Sequence, residues 1–181
     1  MSQFEVIHPP RITIRKFVSD DLDRFVELLC NQKVMDNLAL TAEMKTRNGA
    51  ANLLNMTMNS YSSDSPLLAY AIEHKADKAF LGITGLNPLE ESMVGDFYAL
   101  LPPYWHRGFA SEVLDYLTKF IFEDTGFKTV LAFITRTNEA SIRVAEKNGF
   151  TNYGLVENKD FKDLVYMFNV NSGITPVFWQ G

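Results

Sequence analysis

Cysteine occurs once in the chain, as Cys30, and histidine only as His8, His74 and His106. A single thiol makes no internal disulfide and no cysteine metal cluster. The histidines lie far apart and show no ligand spacing, so no metal is expected. No apolar run is long enough to span a bilayer. The opening M-S-Q-F-E lacks the basic start and apolar stretch of a secretory signal, so the cytoplasm is the expected compartment. Positive charge is also scarce: 17 Lys and Arg against 22 Asp and Glu give a net charge of −5. That balance argues against a nucleic-acid footprint. No internal repeat or low-complexity segment is present.

What is present is enough apolar material for a real core. Hydrophobic residues make up 46% and charged residues 22% of 181 positions, the proportions of a soluble globular chain. One domain over 1–181 is the natural expectation. Arg11 to Phe17 alternates and reads as a strand. Ser19-Asp20-Asp21 offers a cap and first-turn acids for a helix whose apolar side holds Leu22, Phe25, Val26, Leu28 and Leu29. Cys30 ends that segment and is expected to be a small buried apolar side chain. A short helical turn is expected within 31–40. Thr41 is the expected cap of a second helix running to about Tyr61. Leu67–Glu73 and Ala79–Leu86 read as a hairpin, with Gly82 and Gly85 marking a bulge or close contact. Asn87 to Ser92 is expected to turn into a strand over Met93–Leu101.

A Pro-Pro pair follows, then the turn W-H-R-G-F-A, then a helix with Val113, Leu114, Leu117, Phe120 and Ile121 at helical spacing. Strand, tight turn and helix leave backbone N–H groups unpaired at the helix start, a seat for an anion such as a phosphate. Gly108 lets a ligand approach the backbone closely. The Gly and Lys spacing of a triphosphate loop and the G-x-G-x-x-G dinucleotide turn are both missing. Val130–Ile134 is a short buried strand, so strand, helix, strand implies a parallel right-handed crossover. A helix follows from Asn138 to Lys147. Asn138 and Ser141 share one face, with Ile142 and Ala145 inward and Lys147 outward. Closing strands are expected at Phe150–Val156 and Leu164–Val170. The apolar tail, 171–181, is expected to cover the core or meet a second subunit. The layout is α+β: a mixed, mostly antiparallel sheet with a parallel β-α-β-α core and flanking helices.

Taken together and in order, R-I-T-I-R, F-L-G-I-T-G-L, Y-A-L-L-P-P-Y-W-H-R-G-F-A-S-E-V-L, N-E-A-S-I-R-V-A-E-K-N-G-F and D-L-V-Y-M-F resemble the GCN5-related N-acetyltransferase (GNAT) superfamily. The likeness is strongest to the branch of ribosomal-protein N-terminal alanine/serine acetyltransferases and covers nearly all of residues 10 to 170. The resemblance implies the GNAT fold, acetyl-CoA as cofactor and a primary amine as acceptor, either a protein N-terminus or a small metabolite. A non-catalytic acyl-CoA-binding module is the alternative, and monomer and homodimer are both open. W-H-R-G-F-A matches the family's Gln/Arg-x-x-Gly-x-Gly/Ala pyrophosphate loop at Gly108 and Ala110. Trp105 stands where Gln or Arg is usual, and His106 where this branch has glycine. The implied cofactor contacts are His106, Arg107, Gly108, Phe109 and Ala110 in the loop, Leu100 and Leu101 on a bulged strand, and Asn138. Ser141 matches the branch's candidate acid for the leaving thiolate; the Tyr that other members place at Ala145 is absent. Asp96, Glu73 and Glu157 are candidate bases, although the family's usual Glu falls at Gly95. Tyr98 and Tyr153 are candidate lining residues of the acceptor site.

Overall fold

The computed structural model describes residues 9–38, 40–90, 92–156 and 164–170. Glu157 and the tail 171–181 lie outside the described residues. Among the described residues seven strands form one sheet: β1 (Ile12–Arg15), β2 (Ala69–His74), β3 (Phe80–Glu90), β4 (Met93–Leu100), β5 (Thr129–Thr135), β6 (Thr151–Val156) and β7 (Leu164–Val170). Their order is β1-β2-β3-β4-β5-β7-β6, and only β4 and β5 pair in parallel. The helices are α1 (Leu22–Leu29), α2 (Gln32–Met35), α3 (Arg47–Ser60), α4 (Phe109–Asp124) and α5 (Glu139–Lys147).

Each layer follows from its apolar stripe. On α1, Phe25, Val26, Leu28 and Leu29 pack with Ala50 and Leu54 of α3 against one sheet face, where Ala99 of β4 also points. On α4, Leu114, Leu117 and Ile121 pack with Val94, Val130 and Ala145 on the opposite face. The side chains of β4 alternate between these two cores, as a strand covered on both faces must.

Three local expectations change. Cys30, expected to be buried, is exposed, and its Sγ donates to the Lys45 carbonyl oxygen at 3.3 Å. The cap of α3 is Thr46, not Thr41: Thr46 Oγ1 accepts the Gly49 N–H at 3.1 Å, while Thr41 Oγ1 accepts only the Met44 N–H of a preceding turn. The segment expected to turn at Asn87–Ser92 is strand as far as Glu90, because Asn87 and Pro88 stay in register with Gly95 and Val94. Gly82 behaves as expected. A Cβ there would lie 2.0 Å from the Ala99 carbonyl oxygen, so only glycine admits β4 this close.

The parallel ladder decides where a site can form. β4 and β5 pair only at Met93↔Thr129, Val94↔Val130 and Gly95↔Leu131. Beyond Gly95, β5 stays paired to β7 as far as Thr135↔Leu164 and leaves β4. From Asp96 to Leu100, β4 therefore presents an edge without a strand neighbour on its β5 side.

Candidate active site

The splay of β4 from β5 opens a cleft of about 710 Å³. Its walls come from β4, the loop before α4, α5 and the α2 region. The β3–β4 register runs unbroken from Gly82↔Leu100 to Pro88↔Val94, so the expected bulge is replaced by the splay. Leu101 N–H donates to the Leu81 carbonyl at 2.9 Å. In an antiparallel ladder alternate residues bond to alternate sides, so Ala99 and Phe97 face β3 while the backbone groups of Tyr98 and Leu100 face the splay. The Leu100 carbonyl accepts the Trp105 indole N–H at 2.7 Å. Leu100 N–H and the Tyr98 peptide groups are what this edge offers.

A 3-10 turn, Pro102–Tyr104, leads into the loop. His106 takes φ +57° and Gly108 φ +81°. A left-handed non-glycine residue costs roughly 1 kcal/mol, so the β-carbon of His106 is accommodated by strain, and its exposed ring sits at the cleft rim. Gly108 caps α4 without a side chain, and the recorded bond at the start of α4 runs from Glu112 N–H to the Gly108 carbonyl at 3.1 Å. The N–H groups of the first turn have no intrahelical acceptor and carry the positive end of the helix dipole.

Across the cleft, Asn138 caps α5: its Oδ1 accepts the Ser141 N–H at 3.2 Å. The Tyr98 hydroxyl donates to Ser141 Oγ at 3.3 Å. Burial pushes the Tyr98 phenol up to about 12, so it stays neutral and able to donate. Asp96 lies two residues before Tyr98 on the same face of β4. Its Oδ1 is sealed from solvent without a hydrogen-bond partner, and burial pushes the carboxyl up to about 7. The residue as a whole keeps some exposure.

Tyr98, Leu100, His106, Gly108, Phe109, Ala110, Asn138 and Ser141 line the cleft together. Other sequence candidates do not. Leu101 is fully buried, and its N–H is committed to β3. Arg107 turns its guanidinium over the Phe109 ring, 5.3 Å from the centroid. Asp96 sits behind Tyr98, outside the lining. Tyr153 is on β6, the outermost strand, because β7 lies between β6 and β5. Glu73 is held in an ion cluster on β2, 2.7 Å from Arg15 Nε and 3.4 Å from Lys78 Nζ, and is not a free base.

The structure adds residues that local pattern does not mark. Lys33, Asn37 and Leu38 close the cleft from the α2 side, where Thr135 Oγ1 donates to Asn37 Oδ1 at 2.8 Å. Ala140, Arg143, Val144 and Lys147 bring one stripe of α5 to it. Their i, i+3, i+4, i+7 spacing places them on one helix face; Lys147 is exposed at the rim, outward as expected.

The model of the acetyltransferase (GNAT) domain family matches residues 11–151, so the chain belongs to this family and is an acetyltransferase. Among its relatives is the uncharacterized N-acetyltransferase YoaA of Bacillus subtilis (strain 168), 24% identical over 178 residues, covering 96% of this chain and 98% of that protein. The fold is similar to ribosomal-protein-S5-alanine acetyltransferase from Vibrio fischeri (TM-score 0.75, 14% identity, 95% of this chain and 100% of that one). It is also similar to spermidine N-acetyltransferase from Vibrio cholerae, solved with CoA and spermine (TM-score 0.72, 17% identity, 90% and 96%). At such identities the two structures establish the fold alone. Among the described residues no helix is long and apolar enough to cross a membrane.

Proposed function

We propose that the chain transfers an acetyl group from acetyl-CoA to a primary amine, by direct attack of the amine on the thioester. The observation that carries this reading is the unpaired edge of β4 running straight into a turn of free N–H groups. An extended arm suits the first and a pyrophosphate the second, so the residues present fit the cofactor.

Acetyl-CoA, when bound, supplies an activated carbonyl that a neutral amine can attack. The loop from His106 to Ala110 holds the pyrophosphate through backbone N–H groups. Tyr98 and Leu100 hold the arm along β4. Leu100 N–H would be placed to stabilise negative charge developing on an acetyl carbonyl oxygen held there. Ser141 Oγ would give a proton to the departing sulfur and regain one from solvent, with the Tyr98 hydroxyl donating to it and holding it in place. Asp96, ionised in part near neutral pH, takes the amine proton through water, since it does not itself line the cleft.

The acceptor we favour is a protein N-terminal amine, supported by the likeness to a ribosomal-protein-alanine acetyltransferase. A small polyamine is the second reading, supported by the likeness to a spermidine acetyltransferase and by Asp36 in the cleft wall. Thiol release from acetyl-CoA, measured against N-terminal peptides, polyamines and amino sugars, separates them. Acetyl-CoA binding without turnover on the panel would favour a binding module, and no binding at all would sink the cofactor reading.

A further inference from the structure

The anion seat is held from outside by strand β1. Arg11, just before β1, reaches α4 and the loop at three points across about a hundred residues of sequence. Its backbone N–H donates to Glu112 Oε1 at 2.7 Å, its Nε to Glu112 Oε2 at 2.7 Å, and its Nη1 to the Arg107 carbonyl oxygen at 3.0 Å. The guanidinium also stacks over the Phe109 ring, 4.6 Å from the centroid. Glu112 is well buried, with its side chain only 10% exposed. Arg11 itself does not line the cleft.

The bond to the Arg107 carbonyl has a specific consequence. That carbonyl and the Gly108 N–H belong to one trans peptide, so they point in opposite directions. Fixing the oxygen on Arg11 fixes the N–H on the other side, and Gly108 lines the cleft. A charged donor on the carbonyl also polarises the amide and strengthens its N–H as a donor. The loop needs such a restraint, because His106 and Gly108 both sit at positive φ within three residues. Without it the strained turn has room to relax and the N–H to swing away.

We infer that Arg11, anchored by Glu112, is a positioning residue for cofactor affinity: it aims the Gly108 N–H at the anion without touching the anion. The inference rests on the loop being the pyrophosphate seat, and the test separates the two. CoA and pantetheine, which lacks the pyrophosphate, are titrated against the full chain and its variants, CoA by calorimetry and pantetheine by chemical-shift changes. Wild-type protein binding CoA no more tightly than pantetheine would refute the seat and the inference with it. Given a seat, Arg11→Met should weaken CoA about tenfold and leave pantetheine unchanged. Equal losses for both ligands would show a general structural role and overturn the inference, as would no loss for either.

Arg11→Lys and Glu112→Gln keep the test open if Arg11→Met folds poorly. A lysine ammonium cannot span Glu112 and the Arg107 carbonyl with the geometry of a guanidinium fork. Both milder variants should weaken CoA about threefold to fivefold with pantetheine unchanged. CoA affinity within experimental error of wild type in both would overturn the role of Arg11.

Discussion

Asp21 and Asp96 are two carboxylates drawn into the protein, and they are furnished in opposite ways. Asp21 is 4% exposed and fully engaged: Arg15 forks onto both its oxygens at 2.8 and 2.9 Å, and the Val18 N–H donates to it at 2.9 Å. Arg15 also binds Glu73, and its guanidinium is held firmly protonated, chiefly by the bond to Asp21. Asp96 has one oxygen sealed off with no partner, and its carboxyl is pushed up to about 7 by burial. A satisfied buried charge joins β1, β2 and the start of α1. An unsatisfied one weakens the fold, and here it stands behind the cleft. The pair teaches that burial alone does not mark a candidate acid; burial without a partner is what lifts the carboxyl toward neutral pH.

The comparison breaks most visibly at Asp96. Asp96→Asn should lower kcat about 100-fold if the carboxyl takes the amine proton, measured by thiol release. Stability should respond in the opposite sense. The folded value near 7 lies above an unfolded value of about 3.9. The folded state therefore binds this proton more tightly, and wild-type protein loses stability as pH rises from about 4 to about 7. The loss is at most roughly 4 kcal/mol and is constant above that range. Urea unfolding of Asp96→Asn across the same range should lack this falling component. Identical pH slopes in both proteins would show that Asp96 is not held protonated.

Arg15→Met tests the satisfied partner. It leaves buried Asp21 without a charged partner and Glu73 with Lys78 alone, and should cost roughly 3 kcal/mol in urea unfolding at neutral pH. A loss below about 1 kcal/mol would mean that the cluster behaves as a surface pair. Ser141→Ala should reduce kcat about tenfold to thirtyfold with little change in the KM for acetyl-CoA, since the hydroxyl is proposed to act on the departing sulfur. A rise in KM at constant kcat would make Ser141 a binding residue instead. The smallest effect belongs to Tyr98→Phe, which removes one long hydrogen bond. It should lower kcat about threefold, and in the Ser141→Ala background it should do nothing further.

Local chemistry was legible in the sequence, and contacts across the chain were not. The loop, α4, β5 and the Asn138 cap lie where motif and period place them, because each is decided by residues within a turn or two. The parallel crossover followed from strand, helix, strand. Glu73 looked like a candidate base because nothing near it in sequence announces Arg15, its partner 58 positions away. Arg11 looked like an ordinary strand residue for the same reason. The α2 wall of the cleft is brought in by packing, and Asn37 meets Thr135 from 98 positions away. Tyr153 entered as a candidate through the resemblance, but its strand β6 lies beyond β7 at the edge of the sheet. His106 was readable in part: it stands where the resemblance puts glycine, and the chain holds it in the left-handed region that glycine favours, at φ +57°.

The three-pair ladder between β4 and β5 also divides the sheet into two leaves, β1 to β4 and β5 to β7, along a seam that backbone bonding barely stitches. A ligand seated along the free edge of β4 and against α5 touches the first leaf and the helix that follows β5. Its binding free energy therefore adds to the cohesion of the sheet, as any ligand confined to the folded state must do. Amide exchange in the strands flanking the seam should slow when the cleft is filled, and a ligand there would act, in mechanical terms, as a rivet of the sheet.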